Sequence, residues 1–434
     1  AMGSASDTIY ETVDYLNARG EKVGTVRVHL YRPFSETHFL NVIPKTVKKI
    51  AVLDRTKEPG AVGEPLYLDV IKAFKNCEKQ PVIIGGRYGL SSKDTRPSQI
   101  LAVFNNLKQD KPKDRFTIGI VDDVTHTSLP EGDIIDTTPQ GTTSCRIWGL
   151  GSDGTIGANK TAIKIIGDNT DMHVQAYFSY DSKKSGGTTV SHLRFGPKPL
   201  RSPYLVYNAD YVACHNKSFV YQYDLLKGLR KEGTFVLNCP WKVEELEEKI
   251  PASIRRYIAN NNIKFYTIDA LAIASELGLG NRINMVMQAA FFYLANIIPV
   301  DDALKYLKDS INKMYGKKGQ AIVDMNIKAV DRAIEALHKV EVPASWKDAQ
   351  DQDLPVKEEP EFVKKTWSRP SGASAVSSLA RLNTPRCPIL KLMAKSSRPT
   401  CSRTASTMRG WQWPALQHQR PAIPSRICRP SLVV

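Results

Sequence analysis

Apolar positions along this chain switch period repeatedly, from the three-to-four spacing of helices to the alternation or short unbroken runs of strands. In "DTIYETVDYLNARG" the apolar Ile9, Val13 and Leu16 fall on one helical face, and Gly20 closes the run as a helix end should. "KVGTVRVHLY" then alternates as a strand, and "KKIAVLDR" and "PVIIGG" are short apolar runs bounded by turns, as buried parallel strands are. "SQILAVFNNL" reads as a helix and "RFTIGIVDD" as another strand. Strands interleaved with helices predict a doubly wound α/β sheet over residues 1–138. A glycine and small polar caps in "MGSASDT" stand where a first strand would feed the first helix. That strand is expected to be missing from this domain, unless "AMGS" is a vector-derived remnant.

A second α/β unit is expected over 139–342. "SCRIWGLG", "MHVQAYFSY", "YLVYNADYVACH" and "GTFVLNC" read as strands, and "NKTAIKIIGD", "KVEELEEKI", "ASIRRYIANN" and "DALAIASELG" as helices. Residues 281–339 predict two or three further helices, a helical extension packed on the sheet. Within them "MVMQAAFFYLANIIPV" is too short to span a membrane and is broken by Asn296 and Pro299, so it reads as a buried helix. The fold class is therefore α/β, with two consecutive, mostly parallel sheet domains. A charged, proline-containing linker follows at 343–365, and then a basic tail at 366–434 that predicts disorder.

Charge changes this picture only once it is located. The net charge is +16, yet residues 366–434 hold 11 Lys or Arg and no acid, leaving 49 bases against 44 acids in the first 365. The excess belongs to the tail and not to the folded part. A nucleic-acid-binding tail would interleave aromatic with basic residues, and this one has no Tyr or Phe. Out-of-frame reading of a GC-rich gene explains it better than a selected basic segment. The seven cysteines form no C-x-x-C pair, which points to a reducing, cytoplasmic-type compartment (or a reducing anaerobic organelle such as a hydrogenosome). No membrane span is expected. The histidines lack metal-binding spacing, so no metal site is assigned, and no residue stands out as a catalytic acid, base or nucleophile.

The candidate chemistry lies in "GLGSDGTIG", a G-x-G-x-x-G turn between a predicted strand and a predicted helix. Backbone amides and the helix dipole favour a phosphate there. A tight turn whose glycines merely let the backbone pass is the plainer alternative. The next strand ends "YFSYDSKKSGG": Asp181 could meet ribose hydroxyls, but Lys183, Lys184 and Ser185 follow beside a second glycine turn. Two ammonium groups suit the extra phosphate of coenzyme A or NADP better than a bare diol, and a solvated Lys pair in a hairpin is the bland reading. His192 either orients a ligand or sits satisfied in the core.

The stretch from "TSCRIWGLGSDGTIGANK" through "SYDSKKSGGTTVSHLRFG" closely resembles pyruvate:ferredoxin (flavodoxin) oxidoreductases. So do "YETVDYLNARGEKVGTVRVHLYRPF", "AVLDRTKEPGAVGEPLYLDV" and "GNRINMVMQAAFFYLA", and the match runs from residue 1 to about 365. The resemblance implies a central fragment of such an enzyme, a transketolase C-terminal-like domain (1–138) followed by a gamma-type domain (139–342). The family decarboxylates pyruvate oxidatively, forms acetyl-CoA and passes electrons to ferredoxin or flavodoxin. The gamma-type domain is associated with CoA, and matching residue by residue makes Gly149, Gly151, Ser152, Lys183, Lys184 and Ser185 the CoA candidates. Thiamine diphosphate, Mg2+ and 4Fe-4S iron–sulfur clusters are implied for the complete enzyme, but the domains that bind them are not in this sequence. Turnover by this portion alone is not expected. Partners are the missing domains or subunits, with homodimerisation implied for the whole enzyme.

Overall fold

The computed structural model describes residues 1–181 and 186–350. Residues 182–185, the 366–434 tail and most of the 343–365 linker lie outside the described residues. Helix α1 (Ala5–Asn17) buries Ile9, Val13 and Leu16, as their spacing predicts. The short α2 (Glu36–Asn41) is followed by β1 (Lys49–Asp54), α3 (Pro65–Phe74), β2 (Val82–Arg87), α4 (Pro97–Lys108) and β3 (Phe116–Thr117). The three strands form a parallel sheet in the order β1-β2-β3. Its apolar faces are closed by α1 and α4 on one side and by α2 and α3 on the other. Proline opens both α3 and α4, at the position where its missing N–H costs nothing. The Asp54 carboxylate, at the end of β1, accepts from the amides of Leu66 at 3.0 Å and Tyr67 at 3.1 Å, so one strand end caps the next helix.

The second sheet has seven strands. In chain order its elements are β4 (Thr143–Leu150), α5 (Thr155–Asn169), β5 (His173–Tyr180), β6 (Thr188–Gly196), β7 (Ala209–Cys214) and β8 (Leu229–Asn238). Then come α6 (Leu246–Lys249), α7 (Ala252–Asn260), β9 (Lys264–Ile268), α8 (Ala270–Glu276), α9 (Asn284–Ala295), α10 (Val300–Tyr315), α11 (Gln320–Glu335) and β10 (His338–Lys339). The strand order is β10-β9-β8-β7-β4-β6-β5, with β4, β7, β8 and β9 parallel. Helices α5 and α9–α11 close one face, and α6 and α7 the other. Helix α9 shows no clean amphipathic stripe because it is surrounded: Val286, Ala289 and Ala290 are fully buried between the sheet and its neighbouring helices.

The α/β class expected from the sequence is what the chain adopts, and two segments depart from the element readings. "MHVQAYFSY" is the strand it was read as, and it lies at the sheet's edge because β6 turns back antiparallel and takes the place between it and β4. "RFTIGIVDD" keeps only Phe116–Thr117 as strand. Beyond it the Asp122 carboxylate accepts from the amides of Val124 at 3.2 Å and Thr125 at 2.9 Å, and this local turn outcompetes the ladder. "KVGTVRVHLY" is extended but makes one bridge only, Val28 with Met2. The change of composition near Val342 is also not the end of packed structure. A 3-10 turn, Ala344–Asp348, buries Trp346 to 2% exposure against Phe265.

The first sheet's helices meet the second sheet through buried polar groups. Glu11, on α1, accepts from the Ser202 hydroxyl at 2.6 Å, the Tyr204 hydroxyl at 2.6 Å and the Thr137 hydroxyl at 3.2 Å. Asp94 accepts from the Leu205 amide and the Tyr207 hydroxyl, both at 2.9 Å. The face of β4 and β6 behind this junction carries Arg146, His192 and Arg194, all buried. Arg146 donates to the carbonyls of Leu225 and Lys227, and Arg194 to those of Ser202, Tyr204 and Leu205. Carbonyl oxygens so placed let two guanidinium groups stay inside. Replacing Glu11 by Ala leaves the hydroxyls of Ser202 and Tyr204 without their buried acceptor. We expect a loss of about 3 kcal/mol, with Glu11→Gln losing less, read from urea midpoints at constant m.

Candidate ligand site at two paired glycine turns

Strands β4, β7, β8 and β9 all end on one edge, at Leu150, Cys214, Asn238 and Ile268. Ligands of open α/β sheets bind outside that carboxyl edge. The first glycine turn leaves β4 there. Its neighbour is the second glycine turn, which lies 35 residues or so further along the chain and is brought in by the β5–β6 hairpin. The Gly151 amide donates to the Gly187 carbonyl at 2.6 Å, and the Gly186 amide to the Gly151 carbonyl at 3.4 Å. In the ladder Leu150 faces Thr188, and Thr188 accepts from the Asp181 amide at 3.1 Å. Gly149, Gly151 and Ser152 are thus fixed against the arm that carries the second turn. Lys183, Lys184 and Ser185 lie outside the described residues.

The four glycines of the first motif serve different ends. A Cβ on Gly149 would stand 2.6 Å from the Thr155 hydroxyl, so this glycine lets helix and strand approach. Gly154 combines a φ of +85° with the Asn284 side-chain amide only 2.2 Å from where a Cβ would be. These two are structural. Gly157, on the exposed first turn of α5, has nothing within 4 Å of such a Cβ and leaves open surface.

The amino end of α5 already holds a carboxylate. Asp153 accepts from the amides of Leu150 at 2.8 Å and Thr155 at 2.7 Å, and from the Thr155 hydroxyl at 2.8 Å. An anion stabilises such a terminus, and here the protein supplies its own. A ligand phosphate is therefore kept off those two amides. The amides of Ile156 and Gly157, in the same first turn, have no intrahelical acceptor by position. The Thr155 hydroxyl spends its proton on Asp153 and so receives one from His215 Nδ1, at 2.8 Å. His215 follows β7 directly, and its carbonyl accepts from Asn238 at the end of β8 at 2.9 Å. Asn238 accepts in turn from the Ala270 amide at the start of α8, at 3.0 Å. One chain of hydrogen bonds thus ties three strand ends and two helix starts together. Burial pushes the His215 imidazole down to about 4, with Asp153 pulling the other way. Neutral His215, protonated on Nδ1, is the species that fits.

Sequence reasoning passed over Asp153, Thr155, His215 and Asn238. An acid at the start of a helix and a histidine just past an apolar strand were the available signals. His192 takes the bland alternative: it is buried, and its Nδ1 accepts from the Val206 amide at 3.1 Å. Burial, then the charges of Arg146 and Arg194, lower its pKa to about 3. Further along the same edge an open cleft of about 400 Å3 runs between the ends of β8 and β9, lined by Cys239, Trp241, Lys242, Asp269 and His338 among others. Among the described residues no three His, Cys, Asp or Glu side chains could share a metal ion, and Cys77, Cys145, Cys214 and Cys239 are single thiols. The described residues therefore lack the donor set of an iron–sulfur cluster. No helix among them is long and apolar enough to cross a membrane.

Two family models match the chain: "Pyruvate ferredoxin/flavodoxin oxidoreductase" over residues 144–336, and "Pyruvate:ferredoxin oxidoreductase core domain II" over residues 1–100. The pyruvate-flavodoxin oxidoreductase of Enterobacter agglomerans is 61% identical over 365 residues, covering 84% of this chain and 31% of that protein. The pyruvate:ferredoxin oxidoreductase of Moorella thermoacetica is 58% identical over 366 residues, again 84% of this chain and 31% of that protein. The chain thus spans about a third of the length of these curated relatives. The solved pyruvate oxidoreductase subunit PORC of Thermotoga maritima aligns with a TM-score of 0.38 at 21% identity, over 46% of this chain and 100% of that one.

The two buried histidines set a pH dependence. Each holds a proton more weakly when folded, at about 3 for His192 and about 4 for His215, than at the ordinary 6.5. Below pH 6.5 the unfolded chain therefore takes up protons that the native state refuses. Stability is full above pH 6.5 and falls as the pH drops toward 4. The loss at pH 5 should be up to about 2 kcal/mol per histidine. Urea titrations from pH 7 to 4.5 should show this fall, and His215→Gln should remove roughly half of the slope.

Proposed function

Starting from a chain that belongs to the pyruvate:ferredoxin/flavodoxin oxidoreductase family, we propose that this portion binds coenzyme A on the paired glycine turns. The complete enzyme would decarboxylate pyruvate oxidatively. Pyruvate and the CoA thiol become acetyl-CoA and CO2, and two electrons leave to ferredoxin or flavodoxin, the acceptors that the relatives' names carry. Thiamine diphosphate, held with Mg2+ outside this portion, supplies the carbanion chemistry when bound. Iron–sulfur clusters, also held elsewhere, carry the electrons. This chain alone would bind without turning over, and its partners are the remaining domains or subunits, in a dimer of the whole enzyme.

The observation that carries the CoA reading is the pair of backbone hydrogen bonds joining Gly151 to Gly186 and Gly187. They join the turn containing Gly149, Gly151 and Ser152 to Gly186 and Gly187, which follow Lys183, Lys184 and Ser185 directly in the chain. CoA brings a diphosphate and a 3′-phosphate, so it needs two anion seats close together. Open surface at Gly157 and Gly186 leaves room for one of them. The Asp153 carboxylate keeps the diphosphate off the Leu150 and Thr155 amides, and the Ile156 and Gly157 amides of the same helix turn are left to receive it. NADP shares the phosphate pattern and is the alternative ligand. Binding of nucleic acid through the basic tail is the reading from another class.

Calorimetric titration of CoA into the full chain, beside the double variant Lys183→Ala/Lys184→Ala, tests this. We expect saturable binding, weakened at least about tenfold in the double variant through the loss of charge-assisted contacts, and no heat from NADP. A wild-type chain that melts cooperatively yet takes up no CoA would overturn the reading for this portion on its own.

A further inference from the structure

The cleft at the ends of β8 and β9 spans about 400 Å3, a size that holds a small organic ligand. β8 and β9 are the second and third strands from β4, so the cleft stands about 10–14 Å along the rim from the first glycine turn at ordinary strand spacing. Its floor forms where the two strands part. The Cys239 amide donates to the Ile268 carbonyl at 2.9 Å, and Cys239 and Thr267 are both buried. Burial lifts the Cys239 thiol to about 11, so the floor is neutral, and Asp269 and Lys217 stand close enough to act on it with opposite signs. Trp241 makes one wall, half-buried against the core beneath α6 and α7. The Lys217 ammonium stands 5.9 Å from the centre of that ring, near the outer limit of a cation–π contact. Lys242 follows Trp241 and is exposed. Asp269 ends β9 on the other side. One of its oxygens accepts from the Ala272 amide at 3.0 Å and caps α8, and the other remains as an acceptor. His338, paired with Thr267 in the ladder, bounds the far end.

We propose that this cleft is a second ligand site, separate from the paired glycine turns, and that it takes a nucleoside 5′-phosphate with an unsubstituted ribose. Three kinds of group converge there, and each fits one part of such a ligand. An indole face with open surface takes a flat base, and a purine covers more of it than a pyrimidine. A carboxylate at the carboxyl end of a parallel strand is the group that bonds a ribose diol in open α/β sheets, and Asp269 has one oxygen left for it. The ammonium groups of Lys217 and Lys242 flank Trp241 and take the phosphate. Lys217 holds the ring loosely, so a base can displace it toward the ligand's own anion. An aromatic acid of the same size would satisfy Trp241 and the lysines but leave Asp269 without a donor. CoA is refused by the same residue, because its 3′-phosphate replaces a hydroxyl and sets like charge against the carboxylate. The two sites thus divide nucleotides by whether the ribose carries a phosphate.

Equilibrium dialysis of AMP and of its 3′-phosphorylated form against the full chain tests the site, with melting curves run beside it. The wild-type chain should bind AMP saturably and at least about tenfold more tightly than the 3′-phosphorylated form. Asp269→Asn keeps a side chain that caps α8. It should weaken AMP at least about fivefold and remove the preference between the two nucleotides, with the melt unchanged. Trp241→Leu and Lys242→Ala should each weaken both nucleotides together. CoA in excess should leave bound AMP in place. A folded wild-type chain that takes up no AMP overturns the proposal, and so does binding that all three variants leave intact. Displacement of AMP by CoA overturns it too, since the cleft is then an extension of the glycine-turn site. AMP binding decides the matter whether or not CoA binds the glycine turns, so the two readings fail separately.

Discussion

The site depends on one ladder: β6 running antiparallel between β4 and β5. Had β5 paired directly with β4, the turn after it would have opened beside the first glycine turn at the distance of one parallel strand, as in a dinucleotide fold. Instead the hairpin folds back, and Gly187 hydrogen-bonds to Gly151. A strand inserted in reverse is what makes two glycine turns, far apart in sequence, into one surface. The rest follows from edge alignment, since β7, β8 and β9 bring His215, Asn238 and Asp269 to the same rim as the end of β4.

The rim is electrostatically more finished than a bare phosphate loop. Asp153 neutralises the positive end of α5, Thr155 passes that constraint on to His215, and burial keeps His215 neutral. Such a chain of donors and acceptors fixes the turn's shape before any ligand arrives, which lowers the ordering cost of binding. It also limits where negative charge can be accepted: the amides of Leu150 and Thr155 are taken by Asp153, while those of Ile156 and Gly157 have no intrahelical acceptor by position.

Much of the fold was legible because periodicity reports burial. The helices α1, α4, α5, α7 and α8 stand where their apolar spacing put them, and α9 was readable as buried from its lack of a polar face. What was not legible has a common cause. Pattern fixes whether a residue is inside, but not which neighbour it pairs with. The order β4-β6-β5 is a choice among ladders that all bury "MHVQAYFSY" equally well. The Asp122 turn won over a strand through side-chain oxygens that hydropathy does not count. "KVGTVRVHLY" is strand-like by pattern, yet among the described residues it joins no ladder beyond the single Val28–Met2 bridge. At the site, Gly149 and Gly151 were readable as a turn, but the division of labour among the glycines was not. It depends on Thr155 and Asn284 approaching from other elements. Trp346 lies in a segment whose overall charge disguised one buried ring.

The junction through Glu11, Asp94 and the hydroxyls of Ser202, Tyr204 and Tyr207 has a consequence for how the two sheets are held. Apolar contacts tolerate sliding, whereas hydrogen bonds to carboxylates are directional and are satisfied in one relative orientation. The two sheets belong to one compact unit, residues 1–354, and emptying one of these carboxylates loosens their mutual orientation as well as their stability.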